Sequence, residues 1–193
     1  MRSSPGTAVI TFERNREIAA KIAKHLNADL LLYEKGIFEK AFQNYGAIVA
    51  VFATGIVVRD IAPLVKNKWA DPAVVVVDSN LNFAIPLLGG HHGANEVARK
   101  ISELGAIPVV TTATEVHGKP SVEGIADSLG CEIFNKESTI AVNCALLDQN
   151  VEVLEVRGPR IVVVDDEVSV LVKKCKNSSE SNNNNTANSK NHN

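Results

Sequence analysis

The stretch AIVAVFATGIVVRDIAPLV, residues 47–65, decides the fold. Its first seven residues are an apolar run of the kind buried on both faces of a parallel sheet. Thr54-Gly55 then turns the chain into a helix pattern, GIVVRDIAPLV. The same alternation recurs on both sides. Upstream, AVITF (8–12) is a short apolar run, and 14–26 is a helix pattern with Ile18, Ile22 and Leu26 in register. ADLLLY (28–33) reads as a strand and 36–44 as a short helix. Downstream, AVVVVD (73–78) and FAIPLL (83–88) flank Ser79-Asn80, which has the look of a turn. Pro86 suits a sheet edge or a strand end. A helix opens near Gly93 or Ala94, with Val97, Ile101 and Leu104 at helical spacing. IPVVTTAT (107–114) is another strand leading to a polar loop, and 122–129 is a short helix closed by Gly130.

This alternation predicts a doubly wound α/β domain over residues 1–130, with a mostly parallel sheet and helices on both faces. Ligands of such sheets bind outside the C-terminal ends of the strands. Three polar loops are expected there, brought together by the architecture: Thr54-Gly55, residues 89–95 and residues 111–116. Residues 131–175 read as a small α+β module or arm, with a helix over 138–147. VEVLEVRGPRIVVVDDEVSVLV (151–172) follows with strand propensity and turns at Gly158-Pro159 and Asp165-Asp166. From about Lys176 the chain is rich in Asn, Ser and Lys, and a disordered tail is expected over 176–193.

At 193 residues the chain can bury a full core. A net charge of −2 argues against a general nucleic-acid binder. The three cysteines form no CxxC pair, so neither a zinc knuckle nor a disulfide framework is indicated, and cytosolic thiols are the simplest reading. The N-terminus shows no apolar signal segment, and no apolar run approaches the roughly 18 residues that span a bilayer. A cytoplasmic protein with no membrane partner is expected.

GGHHGANEVARK, residues 89–100, is the richest motif. A turn with Gly89, Gly90 and Gly93 carries two adjacent histidines and runs through Asn95 into a helix. Unpaired N–H groups and the helix dipole favour an anion there. Neutral His91 or His92 can take a proton from water, and an imidazolium can bind a carboxylate. Alternatively one histidine packs or caps the loop and the other faces solvent. No metal site is expected: adjacent histidines do not make the i, i+4 ligand pair, and no cysteine or carboxylate completes a set. In TGIVVRDIAPLVKNK (54–68), Thr54 offers a hydroxyl and Gly55 permits close backbone approach. Arg59 can clamp a carboxylate or sit in a surface ion pair. Lys66 and Lys68 complement a helix dipole. There is neither a Walker A loop nor a GxGxxG fingerprint. In TTATE (111–115), Thr111 and Thr112 bind a ligand or cap the next element, and Glu115 orients an imidazole, moves a proton or faces solvent.

Three long blocks in the same order resemble the N-terminal domain of the cobalamin biosynthesis protein G family: TGIVVRDIAPLVKNKWADPAVVVVD, FAIPLLGGHHGANEVARKI and IPVVTTATEVHGKPSVE. The resemblance is close over about residues 46–127 and looser on either side. It implies a cobalt-precorrin-5A hydrolase of anaerobic cobalamin biosynthesis. Such an enzyme opens a δ-lactone with water and releases acetaldehyde, giving cobalt-precorrin-5B. It implies a cobalt-corrinoid substrate carrying many carboxylates, and no cofactor of the protein's own, since the substrate brings the cobalt. His91 or His92 would be the base, with backbone N–H groups at residues 89–93 facing the oxyanion. Thr111, Thr112 and Glu115 would line the opposite wall. Family members commonly carry a further C-terminal domain that is expected to be missing here, so a separately encoded domain or a homodimer is an expected partner. Two other readings stay open: a non-catalytic corrinoid-binding subunit, and a cobalt-handling protein.

Overall fold

Six strands form the main sheet of the computed structural model, which describes residues 6–157, 163–165 and 167–173. They are β1 (Thr7–Thr11), β2 (Asp29–Leu32), β3 (Ala47–Val51), β4 (Ala73–Val77), β5 (Phe83–Leu88) and β6 (Ile107–Pro108), in the order β2-β1-β3-β4-β5-β6. All neighbours are parallel except β4 and β5. Four helices cover the sheet: α1 (Arg16–Leu26), α2 (Ile37–Asn44), α3 (Thr54–Ile61) and α4 (Ala94–Ser102).

Strand periodicity makes the layers. Val9, Val49, Val51, Val75 and Val77 pack with Ala19 and Ile22 of α1 and with Ala94, Ala98 and Ile101 of α4. Their neighbours Ile10, Ile48, Ala50, Val74 and Val76 pack with Ile37, Phe38 and Ala41 of α2 and with Val57 and Ile61 of α3. The expected doubly wound α/β architecture is therefore present, with helices on both faces. Helix α3 ends at Ile61, earlier than the pattern to Val65 suggests; Ala62 still has helical backbone, but Pro63 has no N–H to continue the ladder onto the Arg59 carbonyl. Pro86 sits inside β5, opposite Val75 at an irregularity of the β4 pairing. The β6 ladder reaches only Ala84, so the missing N–H of Pro86 breaks no bond on that side.

The hairpin between β4 and β5 overturns one expectation. The Asp78 carboxylate accepts the backbone N–H groups of Asn80 (2.9 Å), Asn82 (2.9 Å) and Phe83 (2.7 Å), which ties the turn. Strand β5 then runs back, placing Leu88 beside Val74. Residues 89–95 therefore lie at the N-terminal end of β4, while Thr54-Gly55 follows the C-terminal end of β3. A five-residue strand, about 16 Å, separates these ends. The three polar loops do not converge. Those at 89–95 and 111–116 share one end, because β6 is parallel to β5.

Beyond β6 the chain builds α5 (Ala113–Val116), α6 (Val122–Ser128), α7 (Thr139–Asp148) and a small antiparallel pair, β7 (Cys131–Ile133) with β8 (Leu171–Lys173). The strand expected over 107–114 shrinks to two residues, and its TTATE end becomes a loop and one helical turn. Val151–Arg157, expected to be strand, has no regular structure. Cys131 and Cys144 are free thiols. The Gly158-Pro159 turn, Asp166, Cys175 and the tail from Lys176 lie outside the described residues.

Candidate functional site

The GGHHGAN turn folds as a single 3-10 turn, Gly90–His92, between two glycines in left-handed backbone, Gly89 (φ 71°) and Gly93 (φ 107°). Gly90 is required for a different reason. A Cβ there would stand 2.5 Å from the Thr112 methyl and 3.2 Å from Asn95 Oδ1. Beneath the turn, Asn95 is 2 % exposed. Its Nδ2 donates to Thr112 Oγ1 (2.9 Å) and Glu115 Oε1 (2.5 Å), and its Oδ1 has no partner. Arg99 of α4 pairs with the other oxygen of Glu115. His91 Nε2 lies 3.3 Å from the hydroxyl of buried Thr114. The histidine loop and the 111–115 loop thus lock together. Thr111 is exposed at their edge.

The N–H groups of His92 and Ala94 turn inward to the Gly89 carbonyl, at 2.9 and 3.1 Å. Neither is free to face an oxyanion, which removes His92 from the N–H groups expected to do so at residues 89–93. His92 is half-buried, and its Nε2 is enclosed with no hydrogen-bond partner. Burial, opposed by Glu123 and aided by Lys68, His91 and Lys136, holds its pKa below the ordinary 6.5. At neutral pH it is an uncharged imidazole whose Nε2 meets no partner.

The residues facing His92 are ones that sequence reasoning missed. Trp69 meets it edge-on, with ring centroids 4.7 Å apart. Lys68 Nζ reaches Glu123 Oε1 (3.3 Å) and Thr139 Oγ1 (2.9 Å). Glu123, at the start of α6, is only 4 % exposed and also accepts Asn143 Nδ2 of α7 at 2.8 Å. Burial pushes its carboxyl up. The Asn143 bond, its own backbone N–H and Lys68 outweigh burial and leave it below the ordinary value, hence ionised. No local pattern marks this set, because α3's following loop, α6 and α7 meet only in the tertiary fold.

The remaining expected residues lie at the far end of the sheet. Thr54 and Gly55 open α3, and among the described residues exposed Arg59 donates only to the Gly55 carbonyl of its own helix, at 3.4 Å. A crevice of about 230 Å³ opens there, lined by Phe12, Arg14, Asn15, Phe52, Ala53, Ile56, Asp78 and Ser79. Among the described residues no group of three or more His, Cys, Asp or Glu side chains could hold a metal ion, and no helix is long and apolar enough to cross a membrane.

The cobalamin synthesis G N-terminal family matches residues 36–115, which contain His91, His92, Lys68, Trp69 and Glu115. A cobalt-precorrin-5A hydrolase of Salmonella typhimurium is 42% identical over 103 residues, 52% of this chain and 29% of that protein. The cobalt-precorrin-5A hydrolase of Priestia megaterium is 36% identical over 110 residues, 56% of this chain and 29% of its own length. This chain spans under a third of either relative. A solved structure from Sulfolobus solfataricus, described as a cobalamin biosynthesis protein G homolog, superposes with a TM-score of 0.53 at 32% identity. The superposition covers 81% of this chain and 52% of that one. Over residues 36–115 the chain is similar to the cobalamin synthesis G N-terminal family.

Proposed function

We propose that this chain is a cobalt-precorrin-5A hydrolase, opening the substrate's δ-lactone with water and releasing acetaldehyde to leave cobalt-precorrin-5B. The observation that carries the reading is the enclosed, unpartnered Nε2 of an uncharged His92, inside the segment matched by the family. The names of the relatives support the substrate.

In this reading Nε2 of His92 takes a proton as water adds to the lactone carbonyl. The carbonyl oxygen gains charge, which a donor facing it stabilises, the role expected of N–H groups at residues 89–93. Collapse breaks the C–O bond and yields a carboxylate and a hydroxyl. The hydroxyl loses its proton and its oxygen becomes the aldehyde carbonyl as the adjacent carbon–carbon bond breaks; the macrocycle keeps the bond's electron pair and takes up a proton, and the two-carbon fragment leaves as acetaldehyde. Glu115 moves no proton here: held by Arg99 and Asn95, it positions the histidine loop. The test is acetaldehyde release from cobalt-precorrin-5A by the purified chain. Release is expected from the wild type, and His92→Ala should slow it by about 10²–10⁴-fold. A wild-type chain that releases none overturns the proposal.

A further inference from the structure

We propose that Trp69, Lys68 and Lys136 form a receptor for a flat ring bearing carboxylates, with the ring on the indole and carboxylates on the two ammonium groups. Lys68 Nζ lies 4.6 Å from the Trp69 ring centroid and Lys136 Nζ 4.9 Å from it. The two cations come from different segments, the loop after α3 and the 3-10 turn Lys136–Ser138 before α7. Bringing two like charges to one ring costs energy that an anion between them would recover. An ammonium has three donors. Lys68 uses two, on Glu123 and Thr139. Among the described residues the Lys136 side chain donates to nothing and pairs with no carboxylate. One donor of Lys68 and all of Lys136's therefore remain for a ligand.

The platform itself is prepared. Asn67 Oδ1 accepts the N–H groups of Trp69 and Ala70, both at 3.0 Å, and the Asp71 carboxylate accepts the N–H of Lys66 at 2.9 Å. Buried Glu123 holds Lys68 from below. Half-buried Trp69 presents its indole beside His92, so a ring held there lies next to that imidazole. That the ring is a tetrapyrrole rests on the hydrolase reading; the carboxylate chemistry rests on the lysines.

Trp69 is the single tryptophan of the chain, so its fluorescence reads this surface alone. The full chain is titrated with uroporphyrin, a flat tetrapyrrole polycarboxylate, and with a porphyrin carrying quaternary ammonium groups instead. Free tryptophan amide corrects for light absorption. Uroporphyrin should quench Trp69 saturably and more weakly at high salt. Lys136→Ala, at an exposed position, should weaken binding about tenfold. Lys66→Ala should leave it unchanged, and the cationic porphyrin should not bind. With cobalt-precorrin-5A, Lys136→Ala should raise KM and leave kcat in place. Equal binding by Lys136→Ala, or by the cationic porphyrin, overturns the receptor. Saturable quenching without acetaldehyde release leaves the receptor standing and removes the hydrolase. Acetaldehyde release with unchanged KM in Lys136→Ala does the reverse.

Discussion

Gly90 has no room for a side chain, and the whole histidine loop depends on that. An alanine there must move Thr112 or Asn95, which is itself tied to Glu115. Gly90→Ala should cost about 1–3 kcal/mol of stability by overpacking. Urea unfolding checks this, and an unchanged midpoint would mean that the loop shifts freely. The second residue-scale consequence concerns pH. Because burial holds His92 below 6.5, it stays uncharged as pH falls past the point where an ordinary histidine protonates. The acid limb of kcat/KM for acetaldehyde release should therefore lie below pH 6.5, and should vanish in His92→Ala. The histidine loop was legible in sequence, since paired glycines and paired histidines before a helix leave few readings. Lys68, Trp69 and Glu123 were not, because each is ordinary in its own segment. Lys68 in particular looks like a helix-end dipole partner until Glu123 is seen beneath it.

Among elements, α6 and α7 are joined to the site through one carboxylate. Glu123 holds Lys68 and Asn143 at once, and Asn143 Oδ1 accepts the Val122 N–H at 2.8 Å. Glu123→Ala would leave Asn143 Nδ2 without its acceptor and Lys68 with Thr139 alone, and should lower stability by about 1–3 kcal/mol, with less lost in Glu123→Gln. The pH sign follows from the depressed carboxyl. Its stabilisation is complete above the ordinary glutamate value and is lost as pH falls through the lower folded value. Denaturation midpoints of wild type and Glu123→Gln should therefore converge in acid. Most helices were legible from periodicity to within a few residues. Strand β6 was not: its apolar letters run on past Pro108, but residues after it leave the sheet to meet the histidine loop. Val151–Arg157 has strand composition without a partner to pair with, which composition cannot foresee.

At the scale of the molecule, the direction of β5 decides which loops meet. Parallel neighbours need a crossover of a dozen residues or more, and residues 78–82 are far too few. The reversal was therefore written in the sequence, in the same Ser79-Asn80 turn that marks the hairpin. Once β5 is read backwards, Thr54, Gly55 and Arg59 belong to the opposite end of the sheet. Thr54→Val and Arg59→Ala should leave the rate of acetaldehyde release unchanged, while His92→Ala abolishes most of it. A comparable loss in Arg59→Ala would place the chemistry at the wrong end. The loop that carries Lys68 and Trp69 has a consequence in time as well as in space. Asn67 and Asp71 tie it before any ligand arrives, so association need not wait for it to form. In stopped-flow mixing with uroporphyrin, the quenching rate should rise linearly with concentration. A plateau would instead report a loop that must first rearrange.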